Sequence, residues 1–374
     1  MRRAVLRLPA TAWTVVVPLV SLLALVLSWG RDLPGLAVAV VAACLAGAVL
    51  AAVHHAEVVA HRVGEPFGSL VLAVAVTVIE VALIVTLMAD GGDKTASLAR
   101  DTVFAAVMIT CNGIVGLSLL VGALRNRVAV FHPEGSGAAL ATVATLATLS
   151  LVLPTFTTSK PGPEFSTAQL AFAAVASLAL YGLFIAVQTV RHRDYFLPVA
   201  TATATATGDG RGAGAEEHAA PPSARAASIS LALLFVALVA VVGDAKAVSP
   251  SIEAGVAVAG LPQAVVGVVI ALLVLLPETL AAVRAARRDR VQTSLNLAYG
   301  SSIASIGLTI PAIALASLWL SGPLLLGLGP VHMVLLALTV VVGALTVVPG
   351  RATLLQGGVH LVILAAYLFL AVSP

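Results

Sequence analysis

Long apolar stretches, separated by short polar segments, follow one another along almost the whole chain. Most are close to the length of about 20 residues that an α-helix needs to cross the hydrocarbon of a bilayer. We therefore predict an all-α polytopic membrane protein with eleven transmembrane helices. The predicted spans are residues 11–29, 33–53, 67–88, 102–124, 137–153, 167–190, 228–248, 261–283, 294–318, 323–348 and 352–372.

The composition agrees with this prediction, because 60% of the residues are hydrophobic and only 10% carry a charge. Soluble domains, by comparison, average about 25% charged residues. The two cysteines, Cys44 and Cys111, both fall inside predicted spans. We therefore expect no disulfide framework in this protein.

The basic residues predict the orientation of the helices. If the N-terminus is cytoplasmic, 15 of the 20 Lys and Arg residues fall in cytoplasmic segments, which is the bias of the positive-inside rule. The C-terminus then lies outside. Together with the Arg-, Ala- and Val-rich composition, this bias indicates a multi-pass protein of the cell inner (plasma) membrane.

One polar segment, residues 196–227, divides the chain. Its Ala-Thr repeats, glycines and prolines cannot form a buried core, so we predict a flexible cytoplasmic linker. Its cluster of Glu216, Glu217 and His218 fits a solvated surface better than a regulatory cation sensor. The other predicted domains are an N-terminal transmembrane helix at 1–30, a first repeat at 31–195 (helices 2–6) and a second repeat at 228–374 (helices 7–11).

The two repeats share one pattern. Because five helices is an odd number, the second repeat is inverted relative to the first. The second helix of each repeat follows a Gly-x-Pro sequence and carries one deep acid, Glu80 or Glu278. Such an acid costs on the order of 3 kcal/mol, which indicates a function. Inverted repeats place substrate sites near the midplane, where we expect the glutamates to bind a cation or protons. The alternative interpretation is that each glutamate is protonated and only forms a hydrogen bond to a neighbouring helix.

Small polar groups near the glutamates predict further oxygen ligands. Thr77 lies one helical turn before Glu80, and Pro277 removes a helical hydrogen bond directly before Glu278, which frees a backbone carbonyl. Oxygen donors suit calcium, sodium or magnesium rather than soft metals. The supporting residues on the following helices are Asn112, Ser301, Ser302 and Ser305. Close helix packing through small residues is the competing explanation for them.

A second polar cluster lies between the second and third predicted spans. It contains His54, His55, Glu57 and His61. These residues could bind a transition metal, relay protons or line a route for ions from the cytoplasm. A solvated helix at the membrane surface is the favoured interpretation.

Several function classes find no support in the sequence. It contains no P-loop for ATP-driven transport and no HExxH or GxSxG motif, so we expect no enzyme. No Lys or Arg lies deep in a span, which argues against an anionic substrate, and the few deep polar residues argue against a channel. We expect no cofactor and no nucleic-acid partner. The expected partners are the lipid bilayer and inorganic cations, and the sequence is also compatible with a homo-oligomer.

Two stretches resemble the calcium/proton exchangers of the calcium/cation antiporter superfamily, most closely the bacterial members. They read HHAEVVAHRVGEPFGSLVLAVAVTVIEVALIV from His54 and LLPETLAAVRAARRDRVQTSLNLAYGSSIASIGLTIP from Leu275. The resemblance implies two inverted repeats that supply Glu80 and Glu278 to one cation site. Where the family often has a histidine and a glutamine, this chain has Thr279 and Ala304.

The resemblance also implies an activity. It points to a secondary active transporter that exchanges cytoplasmic Ca2+ for protons by alternating access, with cation and protons binding the glutamates exclusively. A sodium (or potassium)/proton antiporter on the same site is the alternative. The transported ions are then Ca2+ and protons, or Na+ or K+ in place of Ca2+. A membrane enzyme built on His54 and His61 is an alternative from another class.

Overall fold

The computed structural model describes residues 12–31, 33–64, 67–91, 96–199, 222–262, 264–319 and 322–373, and most of these are helical. The helices are α1 (Ala12–Ser28), α2 (Gly35–Val63), α3 (Phe67–Gly91), α4 (Leu98–Met108), α5 (Val115–Asn126), α6 (Pro133–Ala147), α7 (Leu153–Phe156), α8 (Thr167–Ala186), α9 (Ala224–Val258), α10 (Ala264–Val274), α11 (Leu276–Arg287), α12 (Val291–Ala316), α13 (Pro330–Val347) and α14 (Leu354–Val372). Most of the predicted linker, including Glu216, Glu217 and His218, lies outside the described residues, as do residues 1–11.

Short π-helical turns join several of these helices into longer spans. They cover Ile109–Ile114 between α4 and α5, Thr148–Val152 between α6 and α7, and Val187–Arg191 after α8. In the part of the chain that the structure describes, eight helical spans are long and apolar enough to cross a membrane, and the bent pair α10 and α11 makes a ninth. The helix α1 (Ala12–Ser28) is apolar but shorter, and the stretch Val74–Ala89 within α3 is also apolar. The all-α, multi-pass architecture is therefore confirmed, while the count of eleven spans stays a prediction.

The chain forms two compact units. The first falls within Met1–Thr86 and Pro221–Gly255, and the second within Leu87–Ala220 and Val256–Pro374. Each unit combines segments from both sides of the predicted linker. The proposed division into two repeats concerns the order of helices along the chain, and it stays a prediction.

In the first unit, α1 packs along α2. The Ser21 hydroxyl donates to the Cys44 carbonyl across this contact at 2.8 Å. A glycine lets α9 approach α1, because a Cβ built on Gly243 would lie 2.4 Å from the methyl carbons of Leu25. Small residues thus bring helices close together, as is common in membrane proteins.

In the second unit, α12 packs against α4, α5, α6, α8 and α11, and α14 packs against α5 and α13. Tyr299 and Ile303 of α12 are among its fully buried side chains. A short antiparallel ribbon, which the sequence analysis does not predict, pairs β1 (Ala129–Val130) with β2 (Arg351–Ala352). The ribbon joins the loop after α5 to the loop before α14.

One predicted span is shorter than expected. The tenth span was placed at 323–348, but α13 begins at Pro330, and residues 323–329 have no regular secondary structure. The backbone of this segment bonds to other parts of the chain instead. Leu325 N donates to Ala96 O at 3.0 Å, and Leu328 N donates at 2.8 Å to the oxygen of Leu151 in the π-helical turn Thr148–Val152. Pro330 suits the first turn of a helix, where a missing N–H has no consequence, and this explains the late start.

Both Gly-x-Pro sequences begin with glycine in the same unusual conformation. Gly64 has φ +77° and Gly260 has φ +66°, in the left-handed region that L side chains rarely adopt. Gly64 ends α2, and its N–H donates to the Ala60 carbonyl at 2.9 Å. Each glycine therefore stops one helix just before the helix that carries a deep glutamate.

Candidate cation-binding site

Glu80 lies within α3, which runs without interruption from Phe67 to Gly91. Its side chain is 4% exposed, and that of Thr77, one turn earlier, is 6% exposed. Ile79, Leu83 and Ile84 around them are also buried. The structure thus places the carboxylate and the hydroxyl on the protected side of an apolar helix, in the first unit.

Glu278 lies at a break between two helices. α10 ends at Val274, α11 begins at Leu276, and the axis bends by 51° between them. Pro277 explains the break, because it has no N–H for the carbonyl four residues earlier and its ring clashes there. Glu278 is half-buried in the first turn of α11, where the helix dipole favours a carboxylate. A broken helix of this kind is typical of transporter binding sites.

One carbonyl at the break is already satisfied. The Leu275 oxygen accepts from the backbone N–H of Thr279 at 2.9 Å and from its hydroxyl at 2.7 Å. Thr279 stands at the position where the calcium/proton exchangers that this chain resembles often have a histidine. At this position the threonine therefore stabilises the broken end of the helix.

Serine hydroxyls hold the helix of Glu278 against its neighbours. α11 packs on α5, on α12 and on the π-helical turn Ile109–Ile114. The Ser294 hydroxyl of α12 donates to the Ala282 carbonyl of α11 at 2.7 Å, and it lies 2.5 Å from the Ser118 hydroxyl of α5. Three helices meet at this pair of serines, which fixes the position of α11.

Asn112, in the π-helical turn, is held at both ends of its amide. Its Nδ2 donates to Thr339 Oγ1 at 2.9 Å, and its Oδ1 lies 3.2 Å from His360 Nδ1. Because Thr339 Oγ1 donates its own proton to the Leu335 carbonyl, it accepts from Asn112. His360 then donates through Nδ1, and its Nε2 lies 3.2 Å from the hydroxyl of Thr346. This directed chain of hydrogen bonds ties the turn to α13 and α14.

The remaining predicted residues are distributed between the two units. Ser302 and Ser305 are buried in α12, Ser301 is half-buried beside them, and Ser302 Oγ lies 4.0 Å from the sulfur of Cys111. They share the second unit with Asn112 and Glu278, whereas Glu80 and Thr77 belong to the first. That the two glutamates meet, and that these residues support them, stays a prediction.

The histidine cluster separates into two environments on α2. His55 is buried, with Nε2 2.9 Å from the Thr14 carbonyl, and the His54 ring lies 6.2 Å from that of Trp13. Glu57 and His61 are exposed. Within the described ranges, no group of three or more His, Cys, Asp or Glu side chains could hold a metal ion. The transition-metal hypothesis therefore has no structural support there.

Sequence reasoning missed two acids. Asp101, placed outside a span, is buried in the first turn of α4, where it accepts from Arg100 Nε at 2.8 Å and from Ser97 Oγ at 2.9 Å. Asp244 is fully buried in α9. The sequence signal for Asp244 is its position inside the apolar predicted span 228–248.

The comparisons with known proteins agree with this architecture. A sequence model described as sodium/calcium exchanger protein matches residues 33–190 and 229–373. The putative ionic transporter y4hA of Sinorhizobium fredii (strain NBRC 101917 / NGR234) is 45% identical over 369 residues, which cover 97% of this chain and 96% of that protein. The sodium-potassium/proton antiporter ChaA of Escherichia coli (strain K12) is 34% identical over 316 residues, or 84% of this chain and 83% of that protein.

A solved structure shares the fold. The crystal structure of the H+/Ca2+ exchanger CAX superposes with a TM-score of 0.66 and 16% sequence identity, and the match covers 96% of this chain and 91% of that chain. At this level of identity, the similarity concerns the fold alone.

Proposed function

Because the chain belongs to the sodium/calcium exchanger protein family, we propose that it exports cytoplasmic Ca2+ in exchange for protons. The protein is a multi-pass membrane protein of a family of cation antiporters, which are secondary transporters. The observation that carries the proposal is the pair of glutamates in apolar helices, one buried in α3 and one at the break between α10 and α11.

The charge of the pair supports an exchange mechanism. With Glu80 and Glu278 both ionised and unoccupied, the site would hold two desolvated negative charges, each costing several kcal/mol. A dication neutralises both, and so do two protons. A bound proton removes the charge of a glutamate just as a bound cation neutralises it. Cation and protons therefore exclude each other, and the empty carrier rarely reorients.

The proposed topology brings the two glutamates to one site. Eleven helices form a leading helix and two inverted repeats, with the N-terminus in the cytoplasm and the C-terminus outside the inner membrane. The left-handed glycines Gly64 and Gly260, each just before a glutamate helix, support this internal symmetry. Movement of one part against the other then exposes the site alternately to the two sides.

Neighbouring polar groups complete the proposed site. Thr77 shares the buried side of α3 with Glu80, and Pro277 has no N–H to donate to the Leu273 carbonyl. Ser301, Ser302 and Ser305 contribute further oxygens from α12. Asn112 holds the adjacent turn in place rather than binding the ion, because both ends of its amide are engaged.

A sodium (or potassium)/proton antiporter is the second candidate. The relative that is 34% identical is named a sodium-potassium/proton antiporter, which favours a monovalent ion. Two carboxylates accommodate one such ion if one of them keeps its proton. The replacements Thr279 and Ala304 remove ligands of the resembling calcium/proton exchangers, which also weakens the case for calcium.

Proton flux in proteoliposomes distinguishes the candidates. Purified protein is reconstituted with an imposed pH gradient, and calcium, sodium or potassium is added in turn. We expect micromolar calcium to dissipate the gradient, and Glu80→Gln and Glu278→Gln to abolish the response. Glu134→Gln, the same change at an exposed position of α6, is the control. A response to millimolar sodium or potassium alone would select the second candidate, and normal exchange by either site variant would refute the site.

A further inference from the structure

A third acid lies in a helix that the proposed site does not use. Asp244 belongs to α9, and its side chain is 0% exposed. It lies on the buried face of the helix, where its nearest buried neighbours along the chain include Ala240, Val241, Gly243, Ala245 and Val248. Most of these positions recur at the spacing of one helix face. The carboxyl group therefore points into an apolar, small-residue packing surface rather than towards lipid or water.

Within the ranges that the structure describes, no hydrogen-bond donor compensates this carboxyl group. Neither oxygen of Asp244 has a hydrogen-bond partner among the described residues. Lys246 is two positions further along, on the exposed side of α9, with its ammonium 6.0 Å from the centre of the Trp29 ring. An unpaired buried charge is strongly disfavoured, and a carboxyl group in such a place becomes neutral by taking up a proton.

The ionisable groups around Asp244 are few. α1 contains no ionisable side chain, and α2 contributes the thiol of Cys44, which is near enough to interact electrostatically with Asp244. The histidines of α2 lie further along that helix, at His54, His55 and His61. In the described side chains of α3, from Val74 to Ala89, Glu80 is the one ionisable residue. None of the ion pairs found in the described ranges includes Asp244.

A metal cation does not fit this place. Calcium takes six to eight oxygen ligands, and the face around Asp244 consists of Ala, Val and Gly. The backbone oxygen of Cys44 already accepts from Ser21. Leu25 occupies the space beside Gly243, because a Cβ built on Gly243 would lie 2.4 Å from the methyl carbons of Leu25. The smallest cation, a proton, remains.

We propose that Asp244 is a proton-binding site separate from Glu80 and Glu278, which carries an additional proton during exchange. That Asp244 is protonated is inferred from the geometry of α9. That its proton takes part in exchange depends in addition on the proposed antiport function. The exposed residues Lys246 and Pro250 lie within two helical turns of Asp244, towards the end of α9. A positively charged Lys246 at that end favours release of the proton when water reaches the carboxyl group.

Infrared spectroscopy tests the protonation state. Exposed carboxyl groups are ionised at pH 7, so the carbonyl stretching band of a protonated acid reports buried groups. We expect the band to persist in a Glu80→Gln/Glu278→Gln protein and to disappear when Asp244→Asn is added. If the double variant has no such band, the proposal is wrong. This measurement does not require Asp244→Asn to fold, because the double variant alone can refute the proposal.

Transport tests the role in exchange. In proteoliposomes that report protons and cation together, Asp244→Asn should keep cation-driven exchange, lower the number of protons moved per cation and flatten the pH profile. Asp289→Asn, the same change at a half-exposed loop position, should alter neither. An unchanged proton-to-cation ratio and pH profile in Asp244→Asn would overturn the role. If the wild-type protein responds to no cation, the proposed antiport fails, while the infrared result still decides the protonation of Asp244.

Discussion

The imidazole Nδ1 of His360 lies 3.2 Å from the amide oxygen of Asn112, although 248 residues separate them along the chain. Both side chains are buried. Through this contact, His360 helps to orient the π-helical turn Ile109–Ile114, which packs against α11. π-Helical turns within α-helices are frequent at functional sites.

We predict that His360→Leu destabilises the protein. Leucine fills much of the volume of the imidazole, but it cannot donate to the Asn112 oxygen, which stays buried. An unsatisfied buried acceptor costs about 1–3 kcal/mol. The melting temperature of the purified protein should fall accordingly. Thr142→Val is the control, because its hydroxyl is exposed and bonds only to its own helix. Equal melting temperatures for the two variants would contradict this role of His360.

We predict that Gly357→Ala separates α14 from α5. A Cβ on Gly357 would lie 2.8 Å from the backbone N of Leu120 and 3.0 Å from the Gly116 oxygen, and backbone atoms cannot move aside cheaply. Overpacking of this kind costs typically about 1–3 kcal/mol. The neighbouring change, Gly358→Ala, meets no atom within 4 Å and should leave stability unchanged or raise it. Thermal unfolding of both variants checks the difference, and a stable Gly357→Ala protein would show that the helices do not touch there.

We predict that Pro277→Ala straightens the helix that carries Glu278. Alanine restores an N–H for the carbonyl four residues earlier and removes the ring clash. Spin labels at the exposed positions Val269 and Leu280, on either side of the break, should move to a new separation. Under the proposed function, the cation concentration for half-maximal exchange should rise several-fold while stability is kept. Pro311→Ala, in the continuous helix α12, is the control. An unchanged label distance would show that packing, rather than Pro277, maintains the bend.

We predict that Ser294→Ala loosens α11. The change removes the hydrogen bond to the Ala282 carbonyl and the contact with Ser118. A typical hydrogen bond contributes about 1 kcal/mol to stability. Ser317→Ala removes a bond to Ala314 within one helix end and serves as the matched control. The rate of hydrogen exchange at the amides of α11 should rise in Ser294→Ala but not in Ser317→Ala. Equal rates in both variants would show that the contact between Ser294 and Ser118 does not hold α11 in place.

The sequence predicted features whose cause is local. The lost hydrogen bond at Pro277 was predicted from the sequence, although residues 261–283 were predicted as one continuous helix and the bend there is a finding of the structure. The two Gly-x-Pro sequences were recognised, whereas the left-handed conformation of Gly64 and Gly260 is seen only in the structure. Apolar length alone predicted the multi-pass, all-α architecture. For the features that were predicted, the neighbouring residues along the chain contain the physical reason, so no knowledge of the fold is needed.

Features that depend on contacts between residues far apart in the chain could not be predicted from the sequence. The polar position of Asn112 was recognised, but its partners Thr339 and His360 could not be, because helix contacts across more than 200 residues leave no local pattern. Asp244 was missed because its complete burial arises only when α9 packs in its unit. Small residues at Gly116 and Gly357 look like any others until the two helices are seen to touch.

The bond from Asn112 to Thr339 can form only after both residues have been synthesised. Its two ends are 227 residues apart, and a ribosome that adds about 5–20 residues per second needs roughly 10–45 s between them. During this interval the span Leu98–Asn126 is already synthesised, while the Asn112 amide lacks Thr339 and His360 and has only the sulfur of Met108, 3.8 Å away in the same span. Nascent chains therefore complete this chain of hydrogen bonds only after α13 and α14 have been synthesised.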